Sequence, residues 1–599
     1  MRRKVRTALL AATIAASGGA LVPATALPGN TTRISQPPAR PQPNGPSPAS
    51  SVPDTTSPAL ALAGTMVAFS SDASNIVSGD TNGAADVFLR DIATGKTRRV
   101  SVNSSGAQLN GASYSPSLSV DGRYIAFVSA ATNVAAGDTN GVADVFYRDL
   151  QTGATSRISV ATSGSQANGP SNTPFVSLFG DYVTFESTAS TLSAGDTNGF
   201  SDSFLREIKK NKTTRIVAPA LTQDLEQQPE ISWTEHAEIS FDGHFLAYAR
   251  GATRTSTDRP TLFDAYVLDR WTGRQRNLDV AAWAGAFKSM NAETTISADG
   301  RYVAFTAWSV ADNDHTVGRG LQQPSPVRND DAIARNSADV KDVWIYDQTS
   351  KATIPVSTNP KGPIGDGDSY DPAISANGHA VTFTSDATNL VAGDTNGRSD
   401  VFVKDLEQRT TARVSLAGPG GEANGASARP SLSYEGRRVV FASDATNLDP
   451  TDSNAASDLF MRDRRIDTTN RAPHMTPQGD KVRGLNLLES TTLHLKATDP
   501  DGDPLRFGAI AGMPNGVTMG VPDKATLDPL TGEFDWTPGP QADTNQKTAA
   551  NSFVGGRDVW IIFWVEDPRG ASDYILVKYF VRDIQQSLRC RTLEHACYP

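Results

Sequence analysis

The chain has 599 residues, of which 38% are hydrophobic and 20% are charged, and its formal net charge is −10. A chain of this length exceeds what one hydrophobic core supports, so we expect two or more domains. The acidic balance argues against nucleic acid as a partner, and beyond the first residues no run approaches the ~20 apolar residues of a membrane span.

Residues 1–26 have the pattern of a secretory signal peptide. Four basic residues among the first six precede the apolar stretch 8–16, and residues 24–26 supply the small side chains of a cleavage site. Without those four residues the chain has 51 Lys and Arg against 65 Asp and Glu, a formal charge of −14. We therefore predict a secreted, extracellular protein without a membrane span, and we expect a monomer.

Residues 27–57 combine a strand pattern with a proline-rich linker. The linker, from Gln36 to Pro58, has a composition that is not expected to pack a core. Thr31–Ser35, in contrast, matches the fourth-strand pattern of the repeats described next, and in the last of those repeats Pro473 interrupts this pattern. We predict that residues 31–35 complete the last repeat and close a ring. The alternative is a leader without fixed structure.

Residues 58–469 contain seven copies of one repeat. A glycine precedes an alternating apolar run in each copy, with spacings of 58, 58, 63, 57, 78 and 58 residues, at Gly64, Gly122, Gly180, Gly243, Gly300, Gly378 and Gly436. An aromatic residue follows five positions later, and a second run carries an acid two residues before another aromatic, as in Asp144 and Phe146. Such runs are typical of strands. Four strands can be drawn per copy, which predicts an all-β, seven-bladed β-propeller.

The segments Ser119–Phe127 and Ser297–Phe305 read Ser-x-Asp-Gly-Arg-Tyr-x-Ala-Phe. They resemble the WD40-like (PD40) repeat of TolB-type propellers, with looser forms at 240–248, 375–383 and 433–441. The resemblance covers roughly residues 58–469 and implies the propeller fold. It implies little about activity, because such propellers serve as binding platforms, as appended domains of peptidases and as lyases.

Two blades depart from the repeat. Blade four lacks the loop sequence Gly-Asp-Thr-Asn-Gly that most other copies contain. In blade five the glycine spacing of 78 rather than 58 reflects an insertion around Asp312 to Asn336, which is either functional or disordered. His236 and His315 occupy irregular positions in these blades, but we assign neither a catalytic role.

From Asn470 the pattern changes. Alternating segments such as Thr492–Ala497 and Ile575–Val581, separated by turn signals, predict a β-sandwich over 470–583. The segment resembles cadherin-like or immunoglobulin-type domains over roughly 471–583. The tail 584–599 contains the only two cysteines of the chain, Cys590 and Cys597. In an exported chain we expect a disulfide between them, and a pair of free thiols is the alternative.

The loop Gly-Asp-Thr-Asn-Gly-x-x-Asp, here called the GDTNG loop, occurs four times, with a fifth copy in which Ala455 replaces the second glycine. Two acids and an asparagine can supply the oxygen ligands of Ca²⁺, and without a cation the acids repel each other. The alternative is a tight Asn-Gly turn whose aspartates bond backbone amides. We predict Ca²⁺ as cofactor, bound by Asp80, Asn82, Asp86, Asp138, Asn140, Asp144, Asp196, Asn198, Asp202, Asp394, Asn396 and Asp400.

A second acidic cluster consists of Asp499, Asp501 and Asp503. The cadherin resemblance implies Ca²⁺ here as well. Cadherins bind it between successive domains, however, and this chain shows one such domain. The alternative is a solvated turn.

No nucleophile elbow, His-Glu-x-x-His, P-loop or dinucleotide-binding glycine pattern occurs in the sequence. We therefore predict a non-catalytic binding protein, a calcium-stabilised propeller with an adhesion-like sandwich, whose ligand is a protein, a peptide or a cell-wall glycan. The alternative is a secreted polysaccharide hydrolase or lyase with carboxylates in the propeller channel or the blade-five insertion. That alternative requires acids on the first strands, which read as small and apolar apart from Glu230 and Glu238 near blade four.

Overall fold

The computed structural model describes residues 31–37, 42–50, 57–61, 64–177, 179–219, 231–240, 243–253, 262–278, 293–309, 340–359, 364–418, 420–434, 436–464, 473–476, 482–486, 490–513, 516–518, 525–537, 557–566 and 572–582. The regular structure of these residues is entirely β-strand, which confirms the all-β class. Among them no helix is long and apolar enough to cross a membrane. The predicted signal peptide, most of the blade-five insertion, and Cys590 and Cys597 lie outside the described residues.

Seven four-stranded antiparallel sheets occur between residues 31 and 463, numbered here in chain order. The strands of sheets 1 to 3 are β2–β5 (Ala59–Leu60, Met66–Ser71, Asp86–Asp91, Thr97–Arg99), β6–β9 (Ser113–Leu118, Tyr124–Ser129, Asp144–Asp149, Thr155–Arg157) and β10–β13 (Ser171–Val176, Tyr182–Ser187, Asp202–Glu207, Lys212–Arg215). The strands of sheets 4 to 6 are β14–β17 (Ile231–Ile239, Phe245–Thr253, Leu262–Asp269, Gln275–Asn277), β18–β21 (Thr294–Ile296, Tyr302–Ser309, Val340–Asp347, Ala352–Pro355) and β22–β25 (Ser369–Ile374, Ala380–Ser385, Asp400–Asp405, Thr410–Arg413). Sheet 7 combines β28–β30 (Ser427–Leu432, Arg438–Ser443, Asp458–Asp463) with β1 (Thr31–Arg33), after a ribbon of β26 (Leu416–Ala417) and β27 (Gly421–Glu422).

The sheets are arranged in a closed ring. The first strand of each sheet contacts the first strand of the next, and β28 of sheet 7 contacts β2 of sheet 1. The hydrophobic clusters of the ring are shared between neighbouring sheets, and the one that closes the ring joins Val440 and Leu459 to Val67 and Phe88. This arrangement is a β-propeller with the first strands nearest the axis, and it confirms the predicted propeller fold.

The aromatic residues of the repeat pack in pairs across the second and third strands. Their ring centroids are 5.6 to 6.2 Å apart, within the range in which aromatic pairs stabilise a sheet. The pairs are Phe69 with Phe88, Phe127 with Phe146, Phe185 with Phe204, Tyr248 with Tyr266, Phe383 with Phe402, and Phe441 with Phe460. The regular spacing of aromatics in the sequence therefore corresponds to the core of the sheets.

The N-terminal strand is the fourth strand of sheet 7. Strand β1 pairs antiparallel with β30, with Thr31 opposite Arg462 and Arg33 opposite Phe460. Ile34 is 1% exposed and belongs to the core between sheets 7 and 1. Two segments from opposite ends of the propeller therefore complete one sheet.

Residues 42–50 are packed, although their proline content predicted an unpacked linker. Gln42-Pro-Asn-Gly-Pro-Ser47 repeats the sequence that precedes other first strands, such as Gln166-Ala-Asn-Gly-Pro-Ser171. The amide of Asn44 donates to Asn75 Oδ1 over 3.0 Å, and the buried Ser47 hydroxyl bonds Ser71 Oγ over 2.7 Å. The expectation failed because the packing depends on the Asn-Gly and Ser positions of the motif rather than on proline content.

Residues 473–582 form a separate set of sheets around one core. The five-stranded sheet contains β32 (Val482–Asn486), β40 (Ser572–Arg582), β39 (Arg557–Glu566), β35 (Arg506–Met513) and β36 (Gly516–Thr518). The others contain β33 (Thr491–His494), β38 (Glu533–Trp536) and β37 (Ala525–Leu527), and β31 (His474–Thr476) with β34 (Lys496–Thr498). The larger sheets share a core in which Trp536 packs edge-on against Tyr579. A cadherin-like or immunoglobulin-type domain stays a prediction.

Candidate functional site

The GDTNG loops place their carboxylates around an arginine of the fourth strand. In sheet 2, Arg157 Nη1 lies 3.2 Å from Asp138 Oδ1 and 3.0 Å from Asp144 Oδ2, and Asp144 is completely buried. The arrangement recurs for Arg99 with Asp80 and Asp86, Arg215 with Asp196 and Asp202, Arg413 with Asp394 and Asp400, and Arg33 with Asp452 and Asp458. In every case the second aspartate is the more deeply buried partner.

Serine and asparagine complete the hydrogen bonding of the buried aspartate. Ser159 Oγ donates to Asp144 Oδ1 over 2.6 Å. Asn140 donates its amide to Asp144 Oδ2 over 3.0 Å and to the Ala167 carbonyl of the following segment over 3.2 Å. The asparagine side chain thus presents its nitrogen to the carboxylate, which is the orientation of a hydrogen-bond donor and not of a metal ligand.

The loop and the arginine occur together within the chain. The arginine follows the second aspartate by 13 positions in sheets 1, 2, 3 and 6, whereas sheets 4 and 5, which lack the loop, have Asn277 and Pro355 at that position. This spacing was visible in the sequence, but the calcium hypothesis considered only residues of the loop itself. Arginine supplies the positive charge that the acids were predicted to take from Ca²⁺.

Burial still disfavours the charged form of these acids. It raises the pKa of Asp86, Asp202 and Asp394 to about 6, with the nearby arginine acting in the opposite direction. Within the part of the chain that the structure describes, none of the GDTNG acids belongs to a group of three carboxylate or histidine ligands close enough to hold a metal ion. Their contacts link the third strand to the fourth strand and, through the asparagine, to the next sheet, and Ca²⁺ at these loops stays a prediction.

Asp499, Asp501 and Asp503 do form such a group, with one ligand atom from each within 4.8 Å of the others. Asp499 Oδ1 accepts the amides of Asp501 over 2.7 Å and Asp503 over 3.1 Å. Its Oδ2 is buried and has no hydrogen-bond partner among the described residues. Of all the predicted metal ligands, these three therefore present the arrangement that best suits a cation.

A third group of polar residues lies on the first strands, nearest the propeller axis. In sheets 2, 3, 4, 6 and 7 the first strand contains a β-bulge. One residue of each bulge has a positive φ between 48° and 55°, and these residues are Ser115, Thr173, His236, Asp371 and Arg429. Backbone of this kind costs non-glycine residues about 1 to 2 kcal/mol, and it frequently marks functional positions.

The bulge residues change in character around the ring. Sheets 2 and 3 have the neutral Ser115 and Thr173, whereas sheets 4, 6 and 7 have His236, Asp371 and Arg429. In sheet 5 the equivalent residue is Glu293, immediately before β18. What we call the axial cluster consists of four of these bulge residues, His236, Glu293, Asp371 and Arg429, and of three neighbours, Glu186, Glu235 and Lys341.

Several acids of the axial cluster bond the bulge of the next sheet. Glu186 Oε1 accepts the His236 amide over 2.8 Å, and Glu293 Oε2 accepts the Asp371 amide over 2.6 Å. Asp371 Oδ2 in turn accepts the Arg429 amide over 3.1 Å. Glu293 Oε1 also lies 3.2 Å from Lys341 Nζ. A continuous chain of contacts therefore connects sheets 5, 6 and 7 at the axis.

Glu235 and Trp233 form a rigid unit next to this chain of contacts. Trp233 stacks on Phe200 with a centroid distance of 4.5 Å and donates its indole N–H to Glu235 Oε1 over 2.8 Å. A Cβ at Gly251 would overlap the indole, so glycine is required there. Burial, and next the charge of Glu186, raise the pKa of Glu235. Burial and then the charge of Glu293 likewise raise the pKa of Asp371.

Sequence reasoning missed most of the axial cluster because it drew the first strands too short. In sheet 2, for example, the small and apolar segment Pro116–Ser119 was taken as the whole first strand, and the bulge residue Ser115 lies just before it. Strand β14 is also longer than its counterparts, and its nine residues include Glu235, His236 and Glu238. The prediction that the first strands are small and apolar apart from Glu230 and Glu238 is therefore wrong, because Glu235 in sheet 4 and Asp371 in sheet 6 also lie on first strands. The irregular position of His236 was the one signal in the sequence.

No family model and no curated protein matches the chain. Similar solved structures include a TolB protein of Agrobacterium tumefaciens, at 15% identity over 62% of this chain and 95% of that chain, with a TM-score of 0.31. A puromycin-hydrolyzing peptidase of Mycobacterium tuberculosis matches at 10% identity over 71% and 53%, with a TM-score of 0.36. The periplasmic gluconolactonase PpgL of Pseudomonas aeruginosa matches at 17% identity over 61% and 85%, with a TM-score of 0.28. Similarities this weak do not identify a function.

Proposed function

We propose that the chain is a secreted binding protein whose propeller holds a polar ligand at the axial cluster. The observation that supports this is the change of the bulge residues from Ser115 and Thr173 to His236, Glu293, Asp371 and Arg429 around the ring. Features that the fold requires recur from sheet to sheet, as the GDTNG arginine does wherever its loop is present. The axial charges do not recur, so the fold alone does not account for them.

The charges of the axial cluster indicate which hydrogen-bonding groups the ligand carries. Four carboxylates face two basic side chains, Lys341 and Arg429, and ionised carboxylates accept hydrogen bonds only. A ligand with several hydroxyl or ammonium donors suits this set. Among the ligand classes expected from the sequence, these are a cell-wall glycan or a basic peptide or protein segment.

Glu235→Gln is expected to weaken binding at the axial cluster at least tenfold, because the substitution removes a charge next to the ligand while retaining the shape of the side chain. The measurement is calorimetric titration with tetra-N-acetylchitotetraose, a neutral oligosaccharide, and with trilysine, a cationic peptide. Glu407→Gln serves as the matched control, since Glu407 is exposed in the turn between β24 and β25, away from the first strands.

Asp371→Asn provides a second variant in the same titrations. The proposal fails if the wild-type protein binds neither probe, or if Glu235→Gln and Asp371→Asn bind as tightly as the wild type. Loss of binding in Glu407→Gln as well would indicate a general charge effect and would also contradict the proposal.

Polysaccharide cleavage is the second candidate function, and the raised pKa of Glu235 beside Glu186 favours it. A protonated and an ionised carboxyl group in one site can act as acid and base on a glycosidic bond. The same variants distinguish the two functions. Release of reducing ends by the wild type and its loss in Glu235→Gln would identify a hydrolase, whereas binding without cleavage supports the binding protein.

We also propose that Ca²⁺ binds at Asp499, Asp501 and Asp503, because the buried Asp499 Oδ2 has no hydrogen-bond partner in the described chain. Added Ca²⁺ at a hundredfold excess over Kd is expected to stabilise the domain by about 2.7 kcal/mol, visible as a higher melting temperature that a chelator reverses. The exposed Asp501→Asn is expected to abolish this response, and Asp138→Asn in a GDTNG loop to retain it. If Asp138→Asn abolishes the response and Asp501→Asn retains it, the GDTNG loops hold the ion.

A further inference from the structure

A cleft of about 490 Å³ lies between sheets 4 and 5, at the end of the sheets opposite the GDTNG loops. It is bordered by the turn that begins β19 and by the hairpins that join the third and fourth strands of both sheets. Its volume is within the range of small-molecule sites, about 300 to 1,000 Å³. The charged residues that line it are Arg274, Arg276, Arg301, Lys351, Asp269 and Asp299.

The two acids of the cleft are occupied by other groups. Asp269 Oδ1 lies 2.9 Å from His244 Nε2 and accepts the amide of Trp271 over 3.0 Å. Asp299 Oδ1 accepts the Ser297 hydroxyl over 2.6 Å and a backbone amide of the turn over 2.9 Å. Neither acid therefore forms an ion pair with the basic side chains of the cleft among the described residues.

Of the four basic residues, only Arg301 forms an ion pair with a residue in the described part of the chain. Its Nη2 lies 2.9 Å from Asp347 Oδ2. Arg274, Arg276 and Lys351 form no ion pair with a described residue. Burial, followed by the charges of Arg276 and Arg274, lowers the pKa of Lys351, and the charge of Asp347 acts in the opposite direction. Both arginines therefore lie close enough to Lys351 to repel its ammonium group.

This combination of charges is not part of the repeat. At the boundary of sheets 2 and 3 the equivalent residues are Ala154, Ser156 and Asn211, and at the boundary of sheets 5 and 6 they are Ala352, Ile354 and Arg409. The boundary of sheets 1 and 2 has Lys96 and Arg98 but Gly153 in place of the third cation. The propeller therefore forms the same boundary without three basic residues, and their presence in a chain of net charge −10 needs another explanation.

We propose that this cleft binds a small ligand through a dianionic phosphate group. Two guanidinium groups and one ammonium group supply three positive charges for the two negative charges of such a group, and guanidinium offers it paired hydrogen-bond donors. Binding would also offset the repulsion that Arg274 and Arg276 exert on Lys351. The cleft shares no residue with the axial cluster. The proposal is therefore independent of the function proposed there.

Calorimetric titration of the full chain with inorganic phosphate, inorganic sulfate and glucose 1-phosphate, at constant ionic strength in sodium chloride, tests the proposal. Arg274→Gln/Arg276→Gln is expected to weaken binding at least thirtyfold. Lys96→Gln/Arg98→Gln, which makes the same change of charge at the boundary of sheets 1 and 2, is expected to bind like the wild type. Tighter binding of the sugar phosphate than of the free ions supports an organic ligand, and equal binding assigns the cleft to the ion itself.

Absence of binding to the wild type, or equal losses in the two double variants, would overturn the proposal. Because the arginine variant could also change the packing of β17, Lys351→Gln provides a second test with an exposed side chain. It is expected to weaken phosphate binding at least fivefold with an unchanged melting temperature. Unchanged binding in Lys351→Gln contradicts the proposal as well.

Discussion

Deletion of residues 31–35 is expected to destabilise the propeller by more than about 5 kcal/mol. The deletion removes Ile34 from the core between sheets 7 and 1, a loss of about 2 to 5 kcal/mol for a large buried side chain. It also removes Arg33 and Ser35, which hold the buried Asp458 at 3.2 and 2.6 Å, and a buried charge without its partner costs about 3 to 5 kcal/mol. Thermal unfolding followed by circular dichroism measures the loss.

The deletion should also cause self-association, because β30 would become an unpaired edge strand. Thr32→Ala is the control, since Thr32 is the exposed residue of the same strand and its replacement is expected to change the melting temperature little. A synthetic peptide of residues 30–37 added to the deleted chain should restore the monomer and part of the melting temperature. An unchanged melting temperature after the deletion would show that β1 does not hold the ring together.

Arg157→Ala is expected to lower the free energy of unfolding by about 3 to 5 kcal/mol, because it leaves the completely buried Asp144 without a counter-charge. The deficit relative to the wild type should shrink as the pH falls, because burial raises the pKa of the neighbouring Asp138 and its protonation removes one of the two negative charges that Arg157 faces. For the same reason Arg157→Ala/Asp144→Asn should be more stable than Arg157→Ala alone. Denaturant unfolding at pH 5 and pH 8 measures both effects.

Arg123→Ala is the matched control for this prediction. Arg123 pairs with Asp149 over 2.8 Å in the same sheet, but its side chain is 39% exposed, and exposed pairs contribute about 0 to 1 kcal/mol. Equal losses in the two variants would mean that burial does not determine the strength of these pairs. A stabilising effect of Ca²⁺ on Arg157→Ala alone would show that a metal ion can replace the arginine.

The propeller was predictable because its determinants are local and recur. The glycines and paired aromatics have one spacing, and Thr31–Ser35 could be recognised as a displaced fourth strand by comparison with the other copies. The role of Arg157 was missed, although the number of residues between Asp144 and Arg157 is as constant from sheet to sheet as the spacing of the aromatics. The calcium hypothesis considered the charges of the loop residues alone, whereas the compensating arginine is on another strand.

The axial cluster and the basic cleft were less accessible from sequence because they consist of departures from the repeat. Glu293 and Asp371 belong to different sheets, and only the packing of sheet 5 against sheet 6 brings the Glu293 carboxylate to the Asp371 backbone. Bulges also shift the alternation of a strand by one residue, so His236 and Arg429 could not be assigned to the axis from alternation. Arg276 and Lys351 line the same cleft from two neighbouring sheets, and no single copy of the repeat contains such a pair.

Closure of the ring by β1 has a consequence for the order in which the chain folds. Each of sheets 1 to 6 assembles from hairpins of neighbouring strands, but Thr31 and Arg462, which face each other in sheet 7, are 431 residues apart. Bringing the ends of so long a segment together costs about 5 kcal/mol of chain entropy, and contacts of such separation form slowly. Within the propeller, the strand that is synthesised first is thus the last to find its place, and until it does sheet 7 has three strands and the core between sheets 7 and 1 lacks Ile34.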